Sequence, residues 1–234
     1  IPAPCGGALR KGHGCIASMY RRRSMRLGRR GLAGSAPWML TEEGPMAESL
    51  MDLFRLDGRV AVVTGSSRGI GHGIALGLAD AGADLVVTAR RTQELDEVAG
   101  QIRARGRRVE IVVADITDEA TVPKLVETAL ARLGRLDIWV SNAGTSEHPG
   151  KFRFEEFPEW HWDAQLALNL RPHFVAARHC AAVMQPGSSI IGISSISALH
   201  PAIEFAAYGA AKAGMNNLNQ TLAAELGPKG IRAN

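Results

Sequence analysis

Cysteine is scarce in this sequence, with only Cys5, Cys15 and Cys180 among 234 residues. Three thiols cannot form the dense disulfide framework that stabilises small secreted domains, so we expect a reducing compartment and a cytoplasmic location. Cys5, His13 and Cys15 are candidate metal ligands, but their glycine-rich surroundings supply no fourth ligand. We therefore predict that the protein holds no metal ion.

Long apolar runs are also missing. No run approaches the roughly 20 residues that a transmembrane helix needs, so we expect no membrane partner. Apolar residues still make up 46% of the chain, and they are spread along it, as is typical of a globular protein. A chain of 234 residues suits one α/β domain better than two domains.

The net charge is +4, but most of the chain carries no excess of positive charge. Residues 1–45 contain eight Arg or Lys and two Glu, which gives +6, whereas residues 46–234 contain 19 basic and 21 acidic residues, which gives −2. The basic character therefore belongs to the first 45 residues. It does not indicate that a domain over 46–234 binds nucleic acid.

Residues 1–45 are rich in Gly, Arg and Pro, have no sustained periodicity, and are predicted to be disordered. Three interpretations stay open. The segment is an organellar targeting peptide, an arm that binds nucleic acid or membrane, or non-native sequence ahead of a start at Met46 or Met51. The chain begins with Ile1 and not with Met, which favours the third.

From Arg59 onward, short apolar runs alternate with helical patterns. Five strands are predicted, over Val60–Val63, Asp84–Thr88, Val109–Ala114, Leu136–Val140 and Ser188–Ile193. Helical regions are predicted over Gly69–Ala81, Gln93–Ala104, Asp118–Leu133, Phe157–Met184 and Glu204–Leu226. Such alternation predicts an α/β fold with a doubly wound parallel sheet.

A glycine-rich turn joins the first predicted strand to the first predicted helix. It reads Thr64-Gly65-Ser66-Ser67-Arg68-Gly69-Ile70-Gly71. Glycines let the backbone approach a bound group closely, and the N–H groups of the first helical turn attract an anion. A strand, a glycine turn and a helix in this order predict a phosphate-binding turn for a dinucleotide.

Further polar clusters follow the other predicted strands. They are Arg90 and Arg91, Asp115, Asn142-Ala143-Gly144, and Ser194-Ser195. Because the carboxyl ends of parallel strands meet at one edge of the sheet, where ligands bind in such folds, we expect these clusters to converge.

Tyr208 and Lys212 lie one turn apart on the last predicted helix. At about 4 Å and an effective dielectric constant of about 20, a phenolate and an ammonium attract by up to about 4 kcal/mol, enough to lower a tyrosine pKa by up to ~3 units. Such a tyrosine transfers protons near neutral pH. Taken alone the spacing is weak, because most such pairs are solvated helix neighbours.

Together these motifs resemble the short-chain dehydrogenase/reductase family, which has a Rossmann-type sheet. The matching residues are Thr64, Gly65, Gly69, Gly71, Asp115, Asn142-Ala143-Gly144, Asn169, Ser195, Tyr208 and Lys212, within about Leu53 to Asn234. The resemblance implies an oxidoreductase that interconverts a carbonyl and an alcohol.

The resemblance also implies a role for each catalytic residue. Tyr208 is expected to be the general acid or base, Lys212 to lower its pKa and hold the nicotinamide ribose, and Ser195 to hydrogen-bond the substrate oxygen. Asn169 is expected to hold a water in a proton relay to Lys212, or else simply to satisfy a backbone group.

Cofactor choice is predicted from charge at the end of the second strand. That position reads Thr88-Ala89-Arg90-Arg91, with no carboxylate for an adenosine ribose. Arg90, Arg91 and Arg68 suit a 2′-phosphate, so NADP(H) is predicted over NAD(H), unless the arginines are merely solvated. Asn142 to Gly144 are expected to form the floor under the cofactor and Asp115 to meet the adenine, although either set could be structural only.

Family members continue beyond the segment that reads Gly230-Ile-Arg-Ala-Asn234 here, so we expect a C-terminally incomplete chain. We expect the fifth strand to be an exposed sheet edge, with poor solubility as a result. Two hypotheses follow. In the first, the protein is an NADP(H)-dependent oxidoreductase, and its full-length form is a homo-oligomer. In the second, it is a non-catalytic, unstable fragment that keeps the dinucleotide-binding half. The substrate class is a ketone or secondary alcohol, with 3-oxoacyl and hydroxysteroid types favoured slightly.

Other residues carry weaker indications. His148, His161, His173, His179 and His200 show no metal-ligand spacing. The aromatic residues from Phe152 to Trp162 are candidates to line part of the substrate entrance. Trp139, Trp160 and Trp162 are expected to pack against other residues and not to stack on nucleic-acid bases.

Overall fold

A computed structural model of the protein describes residues 50–146 and 152–234. A short 3-10 helix, Leu50–Phe54, precedes the first strand. The predictions made for residues 1–45, including the candidate metal ligands there, fall outside the described residues, as does His148. Within the described ranges, no helix combines the length and the apolar character needed to cross a bilayer.

Six parallel strands form one sheet. They are β1 Val60–Thr64, β2 Asp84–Ala89, β3 Val109–Val113, β4 Ile138–Ser141, β5 Ser189–Gly192 and β6 Arg232–Ala233, in the order β3-β2-β1-β4-β5-β6. The order reverses between β1 and its neighbour β4, where the register pairs Val63 with Val140. The doubly wound sheet predicted from the alternating pattern is confirmed, and its switch point lies at the carboxyl end of β1.

The described residues form six α-helices around the sheet. They are α1 Gly69–Asp80, α2 Thr92–Ala104, α3 Thr121–Thr128, α4 Glu159–Asn169, α5 Arg171–Val183 and α6 Ala206–Leu226. Successive residues of β1 face opposite cores: Val60 and Val62 pack with residues of α3 and α5, whereas Ala61 and Val63 pack with residues of α1 and α2. This alternation is why the whole apolar run is buried.

The single helical region predicted over Phe157–Met184 is wrong. The structure has two helices there, and Leu170 between them has φ −128° and ψ −53°, outside helical geometry. Pro172 lies in the first turn of α5, where its missing N–H and its ring do not interrupt a hydrogen bond. The proline is the feature of the sequence that predicts this break, and it makes Asn169 the last residue of α4.

The exposed edge predicted at β5 is also wrong, because β6 pairs with it. Ser189 is in register with Arg232 and Ile190 with Ala233, and the Gly192 N–H donates to the Asn234 carbonyl at 2.8 Å. The chain reaches this position because Gly230 turns with φ +73° and Ile231 enters the core.

Candidate active site

Thr64 and Asn142 join the ends of β1 and β4. The Thr64 Oγ1 donates to the Val140 carbonyl at 3.2 Å and accepts from the N–H groups of Asn142 and Ala143 at 2.9 and 3.0 Å. The Asn142 Nδ2 donates to the carbonyls of Thr64 and Gly65 at 2.9 and 3.1 Å. These bonds give Asn142 a visible structural role and fix the glycine turn against the loop Asn142–Gly144.

The turn is so close to that loop that only glycine fits at two positions. A Cβ on Gly71 would lie 2.2 Å from the Gly65 carbonyl oxygen, and one on Gly65, where φ is +66°, would lie 2.9 Å from the Ala143 Cα. Arg68 precedes α1 without capping it, and Gly69 and Ile70 are exposed. The turn therefore offers a close-fitting cradle and an open helix N-terminus, as a phosphate-binding turn requires.

The basic residues after β2 are largely exposed but not isolated. Arg91 pairs with Glu94 at 2.8 Å, and Arg90 lies 3.9 Å from Asp115. Hydrogen bonds from Arg91 and then Ser67, together with the charge of Arg68, lower the pKa of Glu94. Sequence reasoning missed this carboxylate, although its position three residues after Arg91 in the first turn of α2 is typical of a helical ion pair.

Asp115 orders the turn that follows β3. Its Oδ1 accepts from the N–H and Oγ1 of Thr117 at 2.9 and 2.7 Å, and its carbonyl accepts from Thr121 Oγ1 at 2.7 Å. The structural alternative for Asp115 is therefore visible, while its other carboxylate oxygen faces Arg90.

Tyr208 and Lys212 lie on the first two turns of α6. The Lys212 side chain is buried, its Nζ donates to the Ile193 carbonyl at 2.7 Å, and it lies 5.8 Å from the centroid of the Tyr208 ring. Burial lowers the pKa of Lys212 to about 8. Tyr208 is partly exposed, whereas its cationic neighbour is shielded from water.

Ser195 lies in a turn held tightly against α6. Its Oγ accepts from the Ser197 N–H at 3.2 Å and caps the 3-10 helix Ile196–Ala198. A Cβ on Gly209 would lie 2.9 Å from the Ser197 carbonyl oxygen. The glycine beside Tyr208 thus lets the helix and the Ser195 turn approach, a requirement that the sequence analysis did not identify.

Asn169 brings a buried acceptor toward Lys212. Its Nδ2 donates to Gln165 Oε1 at 2.7 Å and to the carbonyls of Gln165 and Thr145 at 3.2 Å each, whereas its Oδ1 is buried with no partner among the described residues. A Cβ on Gly144 would lie 2.5 Å from this Oδ1 and 3.6 Å from the Lys212 Nζ. A buried acceptor of this kind calls for a water or ligand donor.

Residues 59–234 match the model of the family described as short chain dehydrogenase. The chain belongs to this family. An uncharacterized oxidoreductase of Mycobacterium tuberculosis is 37% identical over 196 residues, which are 79% of this chain and 70% of that protein. The 2-dehydro-3-deoxy-D-gluconate 5-dehydrogenase of Escherichia coli is 35% identical over 79% of this chain and 72% of its own length.

A crystal structure of a short chain dehydrogenase from Burkholderia cenocepacia in complex with NADP has the same fold. It superposes with a TM-score of 0.73 at 35% identity, over 76% of this chain and 73% of that chain. The protein is therefore a short-chain dehydrogenase/reductase, an oxidoreductase that uses a nicotinamide nucleotide and a small-molecule substrate.

The described residues fit such a nucleotide. The cradle at Gly65 and Gly71 and the open start of α1 suit its phosphates, and the buried Asn169 Oδ1 beside Lys212 suits a polar group at the other end. Among the described residues, no three His, Cys, Asp or Glu side chains come together as a metal site would require.

A buried histidine of this dehydrogenase was missed as a functional candidate. The His173 Nδ1 lies 2.9 Å from Ser141 Oγ and its Nε2 lies 2.8 Å from Asn219 Oδ1. Burial lowers the pKa of His173. Its partners are 32 and 46 residues away in the chain, so no local pattern reveals the contacts.

Aromatic residues from the predicted substrate entrance do cluster. The rings of Phe152, Phe157 and Trp160 each meet the His161 ring edge to face, with centroids 5.0, 5.0 and 5.6 Å apart. Their role in substrate binding stays a prediction.

Proposed function

We propose that the protein is an NADP(H)-dependent oxidoreductase that interconverts a ketone and a secondary alcohol. The observation that carries this proposal is the accessible Tyr208 beside the buried Lys212, with the Ser195 turn packed on the same helix. The bound nucleotide supplies or accepts the hydride. The remaining work, proton transfer and orientation of the substrate, falls to side chains of this chain.

In carbonyl reduction, Tyr208 donates its hydroxyl proton to the substrate oxygen, and in alcohol oxidation the phenolate takes it back. The Lys212 ammonium, 5.8 Å from the ring centroid, stabilises the phenolate that forms. Ser195 donates a hydrogen bond to the same substrate oxygen, where negative charge develops. Since Ser195 Oγ already accepts from Ser197, its hydroxyl hydrogen remains available for that bond.

The proton lost by Tyr208 is restored through Lys212. One donor of its Nζ is held by the Ile193 carbonyl, and the Asn169 Oδ1 lies on the side of Gly144 that also faces Nζ. A water molecule that accepts from Lys212 Nζ and donates to Asn169 Oδ1 would begin a path for protons between the ammonium and solvent. The pair of a buried donor and a buried unpartnered acceptor supports this relay.

Tyr208→Phe tests the proposal. The variant keeps the ring but loses the proton donor, so kcat for ketone reduction should fall by about 10²–10⁴-fold, while NADP⁺ still binds with wild-type affinity. Loss of NADPH absorbance over a panel of 3-oxoacyl, steroid and sugar ketones measures the rate and identifies the substrate class. Undiminished turnover of any accepted ketone by Tyr208→Phe would contradict the proposal.

Preference for NADP(H) rests on Arg90, Arg91 and Arg68, which outnumber the two neighbouring carboxylates, Glu94 and Asp115. The Burkholderia relative, crystallised with NADP, is consistent with it. Arg90→Ala should raise KM for NADPH about fivefold, because an exposed ion pair contributes up to about 1 kcal/mol, and should leave KM for NADH unchanged.

The matched control for this measurement is Arg105→Ala. Arg105 is also paired with a carboxylate, Asp80, but lies at the far end of α2, so neither KM should change. A lower KM for NADH than for NADPH in the wild type would overturn the cofactor assignment.

A further inference from the structure

Four buried polar side chains form a chain of hydrogen bonds below the candidate site. They are Trp139, Ser141, His173 and Asn219, each no more than 8% exposed. Trp139 Nε1 can only donate, and it lies 2.9 Å from Ser141 Oγ. Ser141 Oγ accepts that hydrogen. Asn219 Oδ1 can only accept, so His173 Nε2 carries the ring hydrogen and donates it there; in a neutral imidazole Nδ1 then accepts from the Ser141 hydroxyl.

This network joins the floor of the site to the catalytic helix. Ser141 directly precedes the loop Asn142–Gly144, and Asn219 lies on α6 two turns after Lys212, on the same face. A Cβ on Gly192 would lie 2.9 Å from the Asn219 Nδ2, so the network also reaches the residue before Ile193, whose carbonyl holds Lys212. His173 is thus the central link between three elements that carry site residues.

The surroundings of His173 leave it little room to adjust. The cavity between β4, α5 and α6 that Ser141, Asn169, His173 and Met215 line has a volume of only about 10 Å³. Close-packed interiors transmit small changes of shape to their neighbours. The Lys212 Nζ and the position of a Gly144 Cβ are separated by 3.6 Å, so a small shift of β4 against α6 changes the gap on which the site depends.

We propose that His173 is a positioning residue that sets the separation between the loop Asn142–Gly144 and Lys212, and thereby the affinity for the nicotinamide half of the nucleotide. This inference rests on the proposed function. It assigns no chemical step to His173, whose side chain is buried. The prediction is that breaking the link weakens binding at one end of the nucleotide only.

The test compares two ligands on the same variants. NADP⁺ occupies the whole site, whereas adenosine 2′,5′-bisphosphate occupies only the adenine end. His173→Leu should weaken NADP⁺ binding about tenfold, measured by calorimetry, and leave bisphosphate binding within twofold. His173→Gln, whose Nε2 still donates to Asn219, should recover most of the lost affinity.

His179→Leu is the matched control, because this residue lies on the same helix, partly exposed, and should change neither affinity. Should His173→Leu not fold, Asn219→Leu breaks the same link from α6 and should give the same split. Unchanged NADP⁺ binding in a folded variant, or an equal loss for both ligands, would overturn the proposal. A wild-type preference for NAD⁺ would instead contradict the cofactor assignment, and the comparison then uses NAD⁺ and AMP.

Discussion

At the scale of single residues, the proposed proton transfer depends on the charge of Lys212. Lys212 is 3% exposed, and the hydrogen bond from its ammonium to the Ile193 carbonyl offsets only part of the lost hydration. Burial therefore lowers its pKa to about 8 from the ordinary 10.5. The sequence indicates only the attraction between Lys212 and Tyr208. Desolvation of Lys212 is not visible in the sequence, because burial of a residue on a helix depends on what packs over it.

The lowered pKa predicts how ketone reduction depends on pH. In the proposed mechanism ketone reduction needs Lys212 charged, so kcat/KM should be level near neutral pH and fall as pH rises through about 8. Lys212→Arg is the control, since guanidinium stays protonated throughout this range, and its profile should lack that decline even if its rate is lower. A wild-type rate that stays constant well above this pKa would contradict the assignment.

Whether the partners of a residue are near to it or far from it in the sequence explains which site residues were predictable. The glycine turn, the loop Asn142–Gly144 and the pair Tyr208 and Lys212 are local patterns, and the structure places them at the carboxyl ends of strands or on α6. The contacts of His173 depend on the packing of three elements, so they were not predictable.

At the scale of elements, the strands β1 to β5 were predicted because each is a short, mainly apolar run that alternates with a helical pattern. The failures have physical reasons. The region from 157 to 184 keeps helical periodicity across Pro172, so the periodicity concealed the break at Leu170. The two-residue strand β6 has no periodicity at all, and it forms because Ile231 is buried beside it.

The contact between α6 and the Ser195 turn gives a prediction at this scale. Gly209→Ala places a Cβ 2.9 Å from the Ser197 carbonyl oxygen, which should displace the turn that carries Ser195. Since small misplacements of reacting groups are costly, kcat/KM should fall about tenfold to a hundredfold, with NADP⁺ affinity nearly unchanged.

The control for this variant is Gly100→Ala in α2, where a Cβ would meet nothing within 4 Å. It should leave activity unchanged and stabilise the protein by up to about 1 kcal/mol, because alanine favours helix. Wild-type kcat/KM in Gly209→Ala would mean that the turn and the helix tolerate the extra carbon, and that their close packing does not position Ser195.

At the scale of the whole molecule, the carboxyl ends and the amino ends of the strands have different roles. The candidate site occupies the carboxyl ends of the strands, whereas Asp137 joins the amino ends of β1 and β4. Its buried carboxylate accepts two bonds from Arg135 at 2.7 Å, one from Arg59 at 2.8 Å and one from the Val60 N–H at 3.0 Å. Burial by itself would raise the pKa of Asp137, but these donors outweigh it and the pKa is lowered.

Asp137→Asn should therefore destabilise the fold without touching the site. An amide cannot accept all four bonds, so we expect a loss of about 2–3 kcal/mol in the free energy of unfolding, near the low end for a broken buried ion pair because both arginines are partly exposed. Urea unfolding near neutral pH measures the loss, while NADP⁺ affinity should be retained. Asp80→Asn, which breaks an exposed pair with Arg105, is the control and should cost less than about 1 kcal/mol.

The pH dependence of the free energy of unfolding shows whether Asp137 stabilises the fold by its charge or only by its packing. Because its folded pKa lies below the unfolded value of about 3.9, its contribution is fully present above that pH and is lost as pH falls through the folded pKa. The free energy of unfolding of the wild type should thus fall more steeply in acid than that of Asp137→Asn, and the two should converge. Parallel curves down to the acid transition would mean that Asp137 stabilises the sheet by packing, and that its charge contributes nothing.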